Sequence, residues 1–270
     1  MMKKLVFIEI TLIFMLFAAF YAHAETPAVL AAHTEMPTPS QALRPSGPVP
    51  LPSASVPGTA PLVVPPLRTI VIDPGHGGTN EGAIGIAGIH EKHLTLKLAL
   101  ILADRLRARY PEATIILTRE TDRFLSLNDR ISIANDAEAD LFLSLHFNSS
   151  MNPLAVGFES FYAGEFLEAE SDRLGDDETV RAQKRRADAY AQYMAACFNQ
   201  AMRRRFDVLD RGAKPGDYTV LTRARVPAVV LEFGFLSHEK EGLSIVTPQH
   251  QARLIDALVD AVGRYQKGHD

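Results

Sequence analysis

The residues whose types and placement could do chemistry are His76, Glu91, His146 and Glu232. His76 follows the apolar run Thr69-Ile70-Val71-Ile72 and lies in the glycine-rich turn Asp73-Pro74-Gly75-His76-Gly77-Gly78. His146 ends Leu141-Phe142-Leu143-Ser144-Leu145, and Glu232 ends Ala228-Val229-Val230-Leu231. Continuous branched runs of this kind read as strands buried on both faces. Pro74 and its glycines stop the first strand and let the backbone turn tightly. Sites in open α/β sheets are built beyond the carboxyl ends of strands, and three such ends here each carry a group able to ligate a metal or move a proton.

Glu91 precedes the apolar stripe Leu94, Leu98, Ile101, Leu102 and Leu106, and its spacing to Leu94 and Leu98 turns it toward the core. A carboxylate there is costly unless paired. Either it complements the positive N-terminus of its helix, or it joins His76 and His146 around a metal. The second reading accounts for all three positions together, and two histidines with one carboxylate and an open fourth position form a catalytic rather than a structural zinc set. His90-Glu91-Lys92-His93 imitates H-E-x-x-H, but its histidines are three apart and the helix is expected to begin between them. His90 and His93 are therefore read as surface residues. The loop from Gly75 to Gly85 lacks the Gly-Lys-Ser/Thr ending of a phosphate cradle. His23, His33, His238, His250 and His269 are assigned no role.

The elements that position these groups alternate along the chain. Helices are expected over Glu91 to Arg109, from the Ser126 cap through Ile131, Ile133 and Ala134, from Val180 to Arg205, and from Gln249 to Tyr265; strands are expected at Thr114 to Leu117, Asp140 to Leu145, Gly157 to Tyr162, Tyr218 to Leu221 and Ala228 to Leu231. The pattern predicts one three-layer α/β domain, with a mostly parallel twisted sheet and helices on both faces, over residues 67–266. A chain of 270 residues with 47% hydrophobic residues can bury a full core, and a net charge of -4 gives no electrostatic footprint for nucleic acid. Lys184-Arg185-Arg186 and Arg203-Arg204-Arg205 read as solvated helix faces.

Ahead of the domain, Lys3 and Lys4, the apolar stretch Leu5 to Phe20, and Ala22 and Ala24 flanking His23 have the pattern of a secretory signal over residues 1–24. Export, most simply to a periplasm, follows from it; cell wall or extracellular delivery is the alternative. Glu9 within the apolar stretch leaves cleavage open, and any membrane association would run through this segment alone. Residues 25–66, rich in Pro, Ala and Ser, read as an extended disordered linker, and 267–270 as a tail. The single cysteine, Cys197, rules out an internal disulfide and falls on a helical stripe with Tyr190, Met194, Phe198 and Ala201, as an apolar core residue would.

Five segments together carry a resemblance: Ile72 to Gly78, Gly88-Ile89-His90-Glu91-Lys92, Leu117-Thr118-Arg119-Glu120-Thr121-Asp122, Ser144-Leu145-His146-Phe147-Asn148, and Pro227 through Ser237. In this order they resemble the zinc-dependent N-acetylmuramoyl-L-alanine amidases of the family 3 type. The resemblance implies that His76, Glu91 and His146 bind one Zn2+ and that Glu232 is the catalytic carboxylate. It also implies cleavage of the amide between N-acetylmuramic acid and the first L-alanine of the peptidoglycan stem peptide. Peptidoglycan is then the partner, the chain is expected to be a monomer, and the need for a protein activator is left open. Asp73 either orients the His76 loop or shapes the turn; Asn148 and Arg130 are weaker candidates for substrate or scaffold contacts. Phe147 and Phe233 replace usually smaller and aliphatic residues and are expected to narrow the cleft. A non-catalytic peptidoglycan-binding module that kept its zinc, and a zinc peptidase acting within the stem peptide, are the alternatives; retention of Glu232 speaks against the first. The acidic run from Gly164 to Glu178 reads as an exposed loop, with partial gating of the metal as the sharper alternative.

Overall fold

The computed structural model describes residues 63–268, apart from 87 and 165–176. The signal segment, nearly all of the linker and most of the acidic run lie outside the described residues. Chain order is β1 (Thr69–Pro74), α1 (Glu91–Arg109), β2 (Thr114–Leu117), α2 (Leu127–Asp136), β3 (Leu141–Asn148), β4 (Phe158–Tyr162), α3 (Glu178–Arg203), β5 (Asp210–Pro215), α4 (Thr219–Thr222), β6 (Ala228–Phe235), α5 (Glu239–Ile245) and α6 (Pro248–Lys267). The six strands form one sheet in the order β2-β1-β3-β6-β4-β5. Every neighbouring pair is parallel except β4 with β6.

The period of two along a strand divides the core. Ile70, Ile72, Leu141, Leu143, Leu145, Val229 and Leu231 face α1, α3 and α6 in the larger cluster. Val71, Phe142, Ala228 and Val230 face α2 and α4 in the smaller one. Because both faces are covered, the strands are apolar throughout, which is why they were legible as runs. Helix α2 is opened by a capping box in which the Ser126 side chain accepts from the Asp129 N–H while the Asp129 carboxylate accepts from the Ser126 N–H. Cys197 is buried, with its thiol pushed up to about 11 by desolvation.

Several expectations are corrected. Tyr218 to Leu221 is not a strand: Tyr218 is the extended residue before the one-turn helix α4, which drops Val220 and Leu221 into the smaller core. A short apolar run carries no period that separates the two states. Strand β5, Asp-Arg-Gly-Ala-Lys-Pro, has no β-branched residue and owes its conformation to pairing with β4 at the sheet edge. Strands β3 and β6 run past their apolar stretches, so His146 and Glu232 lie inside them. Lys184 is not solvated; it is buried, paired with Asp188 and directed at the Leu221 carbonyl. Phe147 and Phe233 do not line a cleft: they are buried, stack edge-on at 5.4 Å, and belong to the larger core with Phe198.

His250 gives a pH-sensitive contact near the start of α6. Its ring lies 4.7 Å from that of Phe206, with Arg253 over the same ring, and desolvation followed by the Arg253 charge brings its pKa from 6.5 down to about 4. A depressed folded-state pKa means stability that is complete above about pH 6.5 and lost as the pH falls through about 4. Urea unfolding followed between pH 7.5 and 4 should show this decline in the wild type and a shallower one in His250→Gln. Equal slopes would remove His250 from the acid response.

Candidate metal and catalytic site

Tight geometry begins at the end of β1. The chain reverses through His76, Gly77 and Gly78 with φ of 60°, 130° and 58°, so His76 occupies the left-handed region usually left to glycine. A side chain at Gly75 would put its Cβ 2.3 Å from the His146 ring. At Gly82 it would lie 2.6 Å from the Glu91 carboxylate and 2.7 Å from the His76 ring. These glycines let backbone and functional groups approach where any side chain would fill the site.

Glu91 is the first residue of α1, almost fully buried, and faces both histidines. Its Oε2 lies 3.0 Å from His76 Nε2 and its Oε1 3.1 Å from His146 Nδ1. The same carboxylate accepts from the backbone N–H of Ala83 and of Phe147, each at 2.9 Å. His76 Nδ1 meets the Asn80 side-chain carbonyl at 2.8 Å, so that nitrogen donates and Nε2 keeps its lone pair for the shared space. An imidazole lone pair and a carboxylate oxygen at 3.0 Å require a cation or proton between them. One ligand atom from each of His76, Glu91 and His146 lies within 4.8 Å of the others, a spacing that could hold a metal ion. Burial raises the Glu91 pKa, but its close contacts with the His146 and His76 rings more than reverse this and keep it far below the carboxylate range. Burial lowers the His76 pKa, and Glu91 and Asn80 outweigh it, so the ring is more basic than usual.

Glu232 stands beside His146, its register partner across the β3–β6 pair. It is 8% exposed, and its Oε2 has no hydrogen-bond partner among the described residues. Burial first, then the charges of Glu91 and Glu159, pushes its carboxyl well above the ordinary value. A buried carboxylate oxygen without a partner is expensive.

Asp73 and Arg130 are brought together beneath the site rather than in it. Asp73 accepts from Thr118 Oγ1 (2.6 Å), Arg130 Nη1 (2.7 Å) and Ser144 Oγ (2.8 Å). Arg130 also donates to the carbonyls of Pro74 (2.7 Å) and His76 (2.6 Å). Asp73 thus acts on the His76 loop through Arg130, and Arg130 is a scaffold group too deeply buried to meet a substrate. Asn148 donates to Glu159 at 2.7 Å, one strand beyond Glu232. His90 is the residue before α1, with its ring half-buried against Glu81, and His93 is exposed; neither joins the cluster.

Sequence reasoning missed three supports. Arg119 is fully buried and donates to the carbonyls of Pro74, Gly75 and Lys92, tying the loop to α1; its only signal was its place in the Thr118 to Asp122 segment. Lys92 and Asp122 clamp Gly78 from both sides, Lys92 Nζ on its carbonyl and Asp122 on its N–H. Glu159, a lone carboxylate in the strand Phe-Glu-Ser-Phe-Tyr, lies directly across β4–β6 from Glu232.

A three-layer α/β domain with a His/Glu/His cluster at the carboxyl edge of its sheet and a buried carboxyl group beside it defines a class, that of hydrolases built around a metal-capable cluster. Residues 70–264 match the model of the family described as N-acetylmuramoyl-L-alanine amidase, and the chain belongs to that family. The sporulation-specific N-acetylmuramoyl-L-alanine amidase of Bacillus subtilis is 35% identical over 167 residues, which cover 62% of this chain and 56% of that protein. The N-acetylmuramoyl-L-alanine amidase AmiA of Escherichia coli is 29% identical over 238 residues, covering 75% of this chain and 79% of that protein. Among solved structures, an N-acetylmuramoyl-L-alanine amidase of Clostridium difficile 630 superposes with a TM-score of 0.62 at 28% identity, over 76% of this chain and 99% of that one. The resemblance and the α/β fold expected from the sequence are both borne out.

Proposed function

We propose that this protein is an exported, zinc-dependent N-acetylmuramoyl-L-alanine amidase that hydrolyses the amide between N-acetylmuramic acid and the L-alanine of the peptidoglycan stem peptide. The observation that carries the reading is the convergence of His76, Glu91 and His146 next to Glu232, whose Oε2 is buried without a hydrogen-bond partner among the described residues, within a chain of this family.

The donor set fits zinc: two imidazole nitrogens and one carboxylate, with hydrogen bonds behind Glu91 and His76 that fix their orientation. A zinc ion held there supplies Lewis acidity, polarising a carbonyl and lowering the pKa of water toward ~7. Glu91 brings the negative charge that the site's cation requires, and the Ala83 and Phe147 N–H groups keep its two oxygens turned toward the histidines. Glu232 takes the proton of the attacking water and returns it to the alanine nitrogen as the C–N bond breaks, base and then acid. Burial and the charges of Glu91 and Glu159 raise its pKa, which makes the carboxylate a stronger base toward the water proton. Asp73 and Arg130 are buried beneath the site, and Asn148 is engaged by Glu159. Their part is to hold Glu159 and the His76 loop.

His76→Ala or His146→Ala should lose bound zinc and activity together, since removal of one of three ligands leaves the ion weakly held. Zinc measured by atomic absorption after dialysis, alongside release of stem peptide from purified sacculi with the fragments identified by mass, tests both parts of the reading. Fragments cut within the peptide would make the protein a peptidase, and full activity in the zinc-free variants would remove the metal from the reaction.

A further inference from the structure

Beyond Glu232 the site continues across the sheet as a row of charged groups. His146 on β3, Glu232 on β6 and Glu159 on β4 are successive register partners, so their side chains share one face. On the next strand, Arg211 Nε lies 3.4 Å and Lys214 Nζ 2.5 Å from the Glu159 carboxylate. Arg211 stacks over the Phe235 ring at 5.1 Å, and Lys214 lies 5.4 Å over that of Phe161. Two cations thus share one buried carboxylate, while their own side chains stay 31% and 37% exposed. A structural ion pair needs only one of them. The ring contacts restrict both long side chains, so a ligand would find them already placed.

Strands are about 4.8 Å apart, which puts the Glu159 strand about 10 Å from His146. An extended peptide advances about 3.5 Å per residue. With the scissile amide at the metal cluster and alanine as the first residue of the leaving peptide, the cations fall at the reach of the residue that follows. We infer that Arg211 and Lys214, held by Glu159, form an anion subsite that takes a carboxylate borne by the peptide residue next to the alanine. The inference rests on the amidase reading. It adds to that reading a requirement on the substrate: a charged carboxylate, not merely a polar group, one residue beyond the bond that is cut.

The test uses the zinc-loaded full-length enzyme and two synthetic N-acetylmuramoyl peptides that differ only at the second residue, which bears either a free carboxylate or the isosteric carboxamide. The wild type should cut the carboxylate form with kcat/KM about tenfold or more above the carboxamide form, chiefly through KM, as expected for a charge-assisted contact made outside the reacting bond. The ratio should fall toward one in Arg211→Gln and in Lys214→Gln. Raising the ionic strength should erode the wild-type ratio as well. A wild-type ratio near one, or a preference for the carboxamide, overturns the subsite while leaving the amidase reading intact. So does a preference that survives both substitutions. Cleavage of neither compound, in an enzyme that also fails on sacculi, overturns the amidase reading and the subsite with it. Because the wild-type ratio alone can refute the proposal, a variant that fails to fold does not protect it.

Discussion

Glu232→Gln should lower turnover about 100-fold or more, the usual contribution of a general acid-base group, while zinc content and the circular dichroism spectrum stay those of the wild type. The substitution preserves shape and removes only the ability to exchange a proton. Glu232 is not among the groups that hold the cluster: His76 is held by Asn80, Glu91 by the Ala83 and Phe147 N–H groups, and His146 by Glu91. A folding role is also slight, because its Oε2 is buried without a partner and its carboxyl is pushed well above the ordinary 4.5 by burial, Glu91 and Glu159. For such an acid, the stability contributed by the protonated form is complete below about pH 4.5 and lost as the pH rises through the folded-state value. The metal-free Gln variant should therefore melt no lower than the metal-free wild type at pH 7. Near-normal hydrolysis of sacculi by Glu232→Gln would take this residue out of the reaction. It would also revive the binding-module alternative, for which the carboxylate has no purpose.

What the sequence disclosed depended on whether a residue's role was local. The continuous branched residues of β1, β3 and β6 announce strands covered on both faces, and a histidine or glutamate interrupting such a run stands out against it. Glu91 was legible for a related reason, since a carboxylate in phase with Leu94 and Leu98 needs a partner wherever the helix packs. Strand β5 was not legible. Asp-Arg-Gly-Ala-Lys-Pro has no strand preference of its own, and only the neighbouring β4 makes it one. The same holds for Glu159, an ordinary glutamate in a short strand until β4 turns antiparallel to β6 and sets it opposite Glu232. Arg119 is the extreme case. A fully buried arginine is rare, and its burial follows from carbonyls at Pro74, Gly75 and Lys92 that converge only in the folded chain. Phe147 and Phe233 erred in the other direction: their proximity in sequence to site residues suggested a cleft, whereas the alternation of a strand sends neighbours to opposite faces.

Asp73→Ala should destabilise the protein by about 3–5 kcal/mol, the cost of stripping one partner from a buried ion pair, and should weaken zinc binding with it. The Asp73 and Arg130 side chains are 1% and 4% exposed and pair at 2.7 Å, so the lone guanidinium would have neither solvent nor counter-charge. Thr118 and Ser144 would lose their acceptor as well. Against a total stability of about 5–15 kcal/mol this is a large fraction. The coupling to the site runs through Arg130, which donates at 2.6 Å to the carbonyl of His76, the residue held at φ 60°. Left-handed backbone at a non-glycine position costs on the order of 1–3 kcal/mol and persists only where its surroundings enforce it. Releasing Arg130 frees His76 to relax and carries its Nε2 away from Glu91. Asp73→Asn, which keeps the shape but not the charge, should cost less than Asp73→Ala, and removing both charges in Asp73→Ala/Arg130→Met should recover part of the loss. Urea unfolding of the four proteins, with zinc affinity measured by competition against a chelator, gives both quantities. If Asp73→Ala unfolds within about 1 kcal/mol of the wild type, the range of an ordinary surface change, the pair is a passenger and Gly77 and Gly78 alone set the loop. A variant that loses stability but keeps full zinc affinity would separate the two effects and leave His76 held by Asn80 and Glu91 without help from below.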